Sequence, residues 1–199
     1  MNKKTFLWIS SALVALTTTA QADEAEPWAG PYAGFGATMG VSGGQDEFGT
    51  YFPFVSTAQS AAEIFAGYNW VSGNLVYGGE LSFGPGNLRQ QGYPTYGFDD
   101  LMDLRARVGY AFGHWMAYAI AAYSRGEYNL DGELFGVDGL GVGVGVAYRA
   151  TENIFVGAEL MHRNLENYDP VTTKKIKKKG TNSLSGEFDT LSLRVGFLF

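Results

Sequence analysis

The feature that most constrains this chain is a two-residue rhythm. From Pro31 to Phe199, run after run alternates apolar side chains with glycine, small or ionic ones. That period belongs to an extended strand whose two faces meet different surroundings. The sharpest run is Leu101 to Ala111, with Met102, Leu104, Ala106, Val108 and Tyr110 on one face. Asp103, Arg105, Arg107 and Gly109 take the other. No segment of this region approaches a membrane-spanning helix, because Gly, Ser or a charge interrupts every apolar stretch.

Eight such strands can be read. The first four run about Pro31 to Ser42, Ser60 to Trp70, Leu75 to Phe83 and Leu101 to Ala111. The fifth, Met116 to Arg125, is so Ala-rich that its register is not legible. Strand six sets Leu140, Val142, Val144, Val146 and Tyr148 against Gly139, Gly141, Gly143, Gly145 and Arg149. Strand seven opposes Val156, Ala158 and Leu160 to Gly157, Glu159 and Met161. The eighth closes the chain, with Leu191, Leu193, Val195, Phe197 and Phe199 against Thr190, Ser192, Arg194 and Gly196.

The connections alternate in length. Tight turns fall near residues 72, 113 and 151; long polar or Gly-rich loops are expected at about Gly43–Gln59, Gly84–Asp100, Gly126–Asp138 and Asn164–Glu187. Short turns at one end and long loops at the other predict an all-β, eight-stranded, antiparallel up-and-down transmembrane barrel. An even strand count puts both termini on the short-turn side, the periplasm.

A soluble barrel has the same period with the apolar face turned inward. The opposite face separates the two. It carries Gly repeatedly, plus Glu63, Glu80, Asp103, Arg105, Arg107, Glu159 and Arg194. A water-facing exterior would be dense in Lys and Glu; small and ionic residues fit a narrow lumen where opposite charges neutralise one another. Tyr32, Trp70, Tyr77, Phe83, Tyr110, Trp115 and Tyr148, near strand ends, suit girdles at the two water interfaces. Composition agrees: 28 Gly in 199 residues and only 17% charged, below the roughly 25% of soluble domains. A net charge of -6 excludes a generic nucleic-acid binder, and the absence of Cys excludes a disulfide framework.

Residues 1–22 read as a cleaved secretory signal peptide: Lys3 and Lys4, an apolar Phe6 to Leu16, then Ala20-Gln21-Ala22 as a small-x-small site. Residues 23–30 then form a periplasmic lead and 31–199 the barrel.

Together with that leader, the segments WAGPYAGFGATMG, AGYNW, LRARVGYAF and the closing LSLRVGFLF resemble the small outer-membrane β-barrel proteins of Gram-negative bacteria. The nearest in kind are opacity-protein and small-porin-like barrels, related in shape to the OmpA and OmpX barrels. The resemblance implies an outer-membrane location and contact with lipid and lipopolysaccharide. It also implies that Leu191, Leu193, Val195, Phe197 and Phe199 form the signal read by the barrel-assembly machinery. It transfers architecture better than activity.

Other constellations have plainer readings. Gly34, Gly36 and Gly40 brush against a dinucleotide fingerprint, but they sit within one strand and no helix follows. His162 with Ser183 or Ser185 invites a lipid-A-modifying hydrolase; parity, however, places His162 on the lipid side beside no Ser. His114 falls in a tight turn without a partner, and two His without clustered carboxylates make no metal site. Lys174, Lys175, Lys177, Lys178 and Lys179 can grip phosphates of lipopolysaccharide or another acidic extracellular partner through a long loop; the plainer reading is a solvated loop. The expected function is non-enzymatic, structural or surface-interacting, without catalytic residues, cofactor or metal. The alternatives are a narrow diffusion pore and a lipid-A-modifying barrel enzyme.

Overall fold

The structure is a computed structural model, and it describes residues 26–47, 50–54, 61–84, 88–90, 93–130, 132–167 and 184–199. A short 3-10 turn (Glu26–Trp28) leads into ten strands. They are β1 (Gly30–Glu47), β2 (Thr50–Phe54), β3 (Ala61–Ser72), β4 (Leu75–Gly84), β5 (Leu88–Gln90), β6 (Tyr93–Phe112), β7 (Trp115–Leu130), β8 (Glu133–Arg149), β9 (Ile154–Asn167) and β10 (Leu184–Leu198). β1, β3, β4 and β6 to β10 pair antiparallel in chain order, and β10 returns to β1 from Tyr32↔Leu198 to Glu47↔Leu184. The eight-stranded cylinder is therefore closed. Closure leaves its wall without an edge, which is what a sheet needs where no water can satisfy its backbone. β2 and β5 are short additions that pair with β1 and β6 beyond the closed wall.

Tight turns join β3 to β4 and β6 to β7, and both begin with glycine at positive φ: Gly73 at 59° and Gly113 at 61°. In the third tight turn, Thr151 Oγ1 accepts the Ile154 N–H at 3.0 Å.

Two expectations change here. The segment Gly126–Asp138 is not a long loop: β7 continues to Leu130 and β8 begins at Glu133, paired from Leu130↔Glu133 downward. The alternation continues through it with Tyr128 and Val137 buried inside. Glu127, Asn129 and Asp138 of its outward face are polar, as suits strands that stand beyond the hydrocarbon and need backbone partners but no apolar face. Likewise β1, β6, β9 and β10 run on into residues 43–47, 93–100, 164–167 and 184–187, which composition marked as loop.

The register of strand five is also settled. Met116, Tyr118, Ile120, Ala122 and Ser124 point inward, and Ala117, Ala119, Ala121 and Tyr123 outward. Alanine tolerates either face, so the neighbouring strand decides. Tyr118, Ile120, Ala122 and Ser124 pair with Gly145, Gly143, Gly141 and Gly139 of β8. A Cβ added at Gly145 would lie 2.5 Å from the Tyr118 ring. The glycine file is the mould for the bulky file beside it.

The outer wall is apolar, with Phe35, Ile64, Leu104, Leu140 and Leu193 all exposed. The lumen is filled in three tiers. Trp28, Tyr32, Phe65, Met116, Tyr118 and Phe155 pack at the short-turn end. Phe98, Tyr128, Val137, Leu165 and Phe188 pack at the opposite end, with the Phe98 and Phe188 rings stacked at 4.5 Å. An ionic layer lies between them.

Candidate functional site

The ionic layer is built by parity. Inward positions of β3, β4, β6, β9 and β10 bring four carboxylates, Glu63, Glu80, Asp103 and Glu159, against four guanidiniums, Arg105, Arg107, Arg163 and Arg194. The formal charges cancel, and all eight side chains are buried. Isolated charges in such a place would be prohibitive, so partner geometry is everything.

Arg105 is the hub. Its Nη1 donates to Glu80 at 3.1 Å and Glu159 at 3.0 Å, and its Nη2 to Asp103 at 2.7 Å. Arg194 bridges Glu80, at 2.8 Å from Nη2, and Glu159 from Nη1. Arg107 Nη1 donates to Glu80 Oε2 at 2.7 Å and to the Tyr32 hydroxyl oxygen at 3.0 Å, while the Tyr32 O–H donates to the same Glu80 oxygen. Arg163 Nη2 donates to Asp103 at 2.7 Å, and its Nη1 to Thr190 Oγ1 at 2.7 Å. Glu63 accepts from Thr38 at 3.0 Å and lies 3.3 Å from Arg105. The planar forks of arginine suit this many-partner role in a way a lysine point charge does not.

Aromatic faces complete the seal. The Arg194 guanidinium lies 3.5 Å from the Phe65 ring centroid, and Arg107 sits between Tyr32 and Tyr118 at 5.1 and 4.4 Å. A void of about 30 Å³ remains beside Thr38, Glu63, Ser82, Asp103 and Arg163. That is space for ordered water, not for a solute.

Two residues escaped the sequence reading of this layer. Arg163 continues the inward file Glu159, Met161, Arg163; the reading stopped strand seven at Met161 and so missed it. Tyr32, expected in an interfacial girdle, is 2% exposed and inside the lumen. It shares parity with Gly34 and Gly36, and it is paired with Gly67, which leaves its ring room. The other girdle aromatics do face outward, with Trp70 stacked on Tyr77 and Trp115 against Tyr148.

The remaining candidates are dispersed. Leu191, Leu193, Val195 and Phe197 line the outward face of β10, and exposed Phe199 follows its end. His162 is exposed on the outward wall, its Nδ1 2.9 Å from Asp189 Oδ1, while Ser42 donates to the other Asp189 oxygen. The acid thus stands between serine and histidine. Ser185 is paired with Glu166, not His162, and Ser183 lies outside the described residues. His114 Nδ1 lies 3.0 Å from the Arg149 carbonyl, so that nitrogen carries the proton. Gly34, Gly36 and Gly40 lie within β1. Lys174, Lys175, Lys177, Lys178 and Lys179 lie outside the described residues, as does the expected leader. Among the described residues, no three His, Asp or Glu side chains cluster to hold a metal ion.

A closed antiparallel cylinder, greasy outside and ionic at its centre, defines a transmembrane β-barrel. The chain belongs to the outer membrane protein beta-barrel domain family, which it matches over residues 10–199. It is an outer-membrane protein of the small-barrel type. A curated relative, the 22 kDa outer membrane protein of Rhizobium leguminosarum bv. viciae, is 26% identical over 149 residues, covering 71% of this chain and 66% of the relative. The match thus spans just under two thirds of that relative's length. Among solved structures, Neisserial surface protein A is 21% identical, with a TM-score of 0.49 over 85% of this chain and 97% of that one. The attachment invasion locus protein Ail of Yersinia pestis is 12% identical, with a TM-score of 0.47 over 86% and 99% of the two chains.

Proposed function

We propose that the protein is a plugged, non-enzymatic outer-membrane barrel with a structural or surface-interaction role. One observation carries the reading: the ionic layer spans the cross-section between two aromatic tiers, so the lumen is occupied from end to end. Eight strands leave an interior just wide enough for side chains, and here large side chains fill it. The order Ser42, Asp189, His162 supports the non-enzymatic part, because a hydroxyl is activated as a nucleophile by a base beside it, and here the carboxylate intervenes.

Export depends on the leader at residues 1–22, and insertion on recognition of the outward file Leu191, Leu193, Val195, Phe197 and Phe199 by the barrel-assembly machinery. Partners outside the cell are met through the segments at the long-loop end, where the Lys174–Lys179 run offers charge to phosphates of lipopolysaccharide.

Planar-bilayer recording tests the plug. The purified, refolded protein is expected to give no stable conductance steps. Sizeable, reproducible steps from the unmodified protein would overturn the reading in favour of a diffusion pore.

A further inference from the structure

The cylinder closes where β10 meets β1, and near the short-turn end the lumen side of that seam carries no side chain: Gly34 and Gly196 face each other across it. A Cβ on Gly34 would run into the Phe65 ring, and one on Gly196 into the Phe155 ring. Phe65 belongs to β3 and Phe155 to β9, the strands that flank the seam on either side. Their rings lean over it with centroids 6.3 Å apart, and the Tyr32 ring lies 6.3 Å from the first and 6.0 Å from the second.

The group that completes this aromatic cluster comes from outside the wall. Trp28 is 1% exposed, whereas Pro27 and Ala29 on either side of it are exposed. Its ring lies 6.0 Å from Phe155 of β9, and its carbonyl accepts the Asn69 Nδ2 of β3 at 3.0 Å. One residue thus touches a strand on each side of the seam, and those strands come together only when β10 has paired with β1. Sheet pairing of β1 begins at Gly30, whose φ of 105° turns the chain out of the mouth and into the wall. Every other member of the inner tier sits on a strand, and cannot leave the lumen without breaking a ladder of backbone bonds. Trp28 can leave by turning about Gly30. Its indole N–H is buried without a partner, so release returns one hydrogen bond to water. A segment held by so few contacts opens far more readily than the sheet it rests on.

We propose that the short arm carrying Trp28 is a releasable latch over the closing seam. Docked, it ties β3 to β9 and shuts the short-turn mouth, which in outer-membrane barrels faces the periplasm. Released, it admits water to the near side of the ionic layer, where Tyr32 meets Glu80 and Arg107, while the wall stays closed. The latch goes beyond the plugged reading of the lumen. With the arm out, the ionic layer and the outer tier still block conduction, so silence in a bilayer and release of the arm are separate readouts.

The chain has no Cys, so an introduced thiol reports water access without background. Ala111→Cys places one in the inner tier and Ala61→Cys one in the outer tier, both at buried positions. Each barrel, extracted in detergent, is treated with a charged methanethiosulfonate, and a heat-modifiability gel shows that the wall is folded. Ala111→Cys is expected to react slowly with the arm intact and roughly tenfold faster when Trp28→Ala is added, as local opening allows. Ala61→Cys should react at the same rate with or without Trp28→Ala. Asn69→Ala, which removes the hydrogen bond to the Trp28 carbonyl, should speed Ala111→Cys about fivefold, the effect of one net hydrogen bond. Unchanged rates at Ala111→Cys overturn the latch. Equal acceleration at Ala61→Cys overturns it as well, because the whole barrel is then opening. An Ala111→Cys that reacts like an exposed thiol with the arm intact shows that the arm is not docked. Should Trp28→Ala fail to fold, the Asn69→Ala rates decide on the same terms.

Discussion

The inner and outer faces of the same strands obey different rules. On β10, Leu193 and Val195 meet fluid hydrocarbon, whereas Arg194 between them meets Glu80, Glu159 and the Phe65 ring. An outward side chain contributes by leaving water, in proportion to its area, and its neighbours rearrange freely around any change. An inward side chain sits in a fixed mould, where shape and charge partners are specified atom by atom. Stability outside is a matter of how much; inside it is a matter of which.

The largest expected break in that contrast is Arg194→Met. It leaves Glu80 and Glu159 short of a buried partner, and should cost about 3–5 kcal/mol in urea unfolding of the folded barrel. A loss below ~1 kcal/mol would mean that water or Arg105 readily takes over the position.

A matched pair sharpens the comparison. Leu165→Ala, inside and fully buried, should cost about 3–5 kcal/mol, because a cavity adds to the lost transfer energy. Leu160→Ala, outward on the same strand, should cost about 2 kcal/mol, the transfer contribution alone, since lipid fills the space. Equal losses from the two would erase the distinction between mould and fluid.

The smallest effect tests the glycine file. Gly145→Ala should cost about 1–3 kcal/mol by pressing on the Tyr118 ring. That penalty should shrink in a Tyr118→Leu background, measured as a double-mutant cycle. An unchanged penalty would place the strain in the backbone.

Much of this fold could be read along the chain. The alternation assigned Glu63, Glu80, Asp103, Arg105, Arg107, Glu159 and Arg194 to one face of their strands, and in the structure that face surrounds the axis. It was less informative where composition turned polar or uniform. Gly126–Asp138 reads as loop because of its polar and Gly-rich composition, yet Tyr128 and Val137 keep the inner rhythm. Arg163 was lost with the same premature strand ending. Tyr32 was misplaced because an aromatic near a strand end suits an interface, and only its parity said otherwise.

What the sequence determined by itself is therefore a set of two-faced strands and the hydrocarbon-facing side of each, because a side chain's face depends only on counting by twos. The tertiary structure decided which arginine meets which carboxylate, which bulky residue lies over which glycine, and how far polar strands climb beyond the membrane. Those depend on the register between neighbouring strands and on the closure of β10 onto β1, and cross-strand register is a property that no single strand carries.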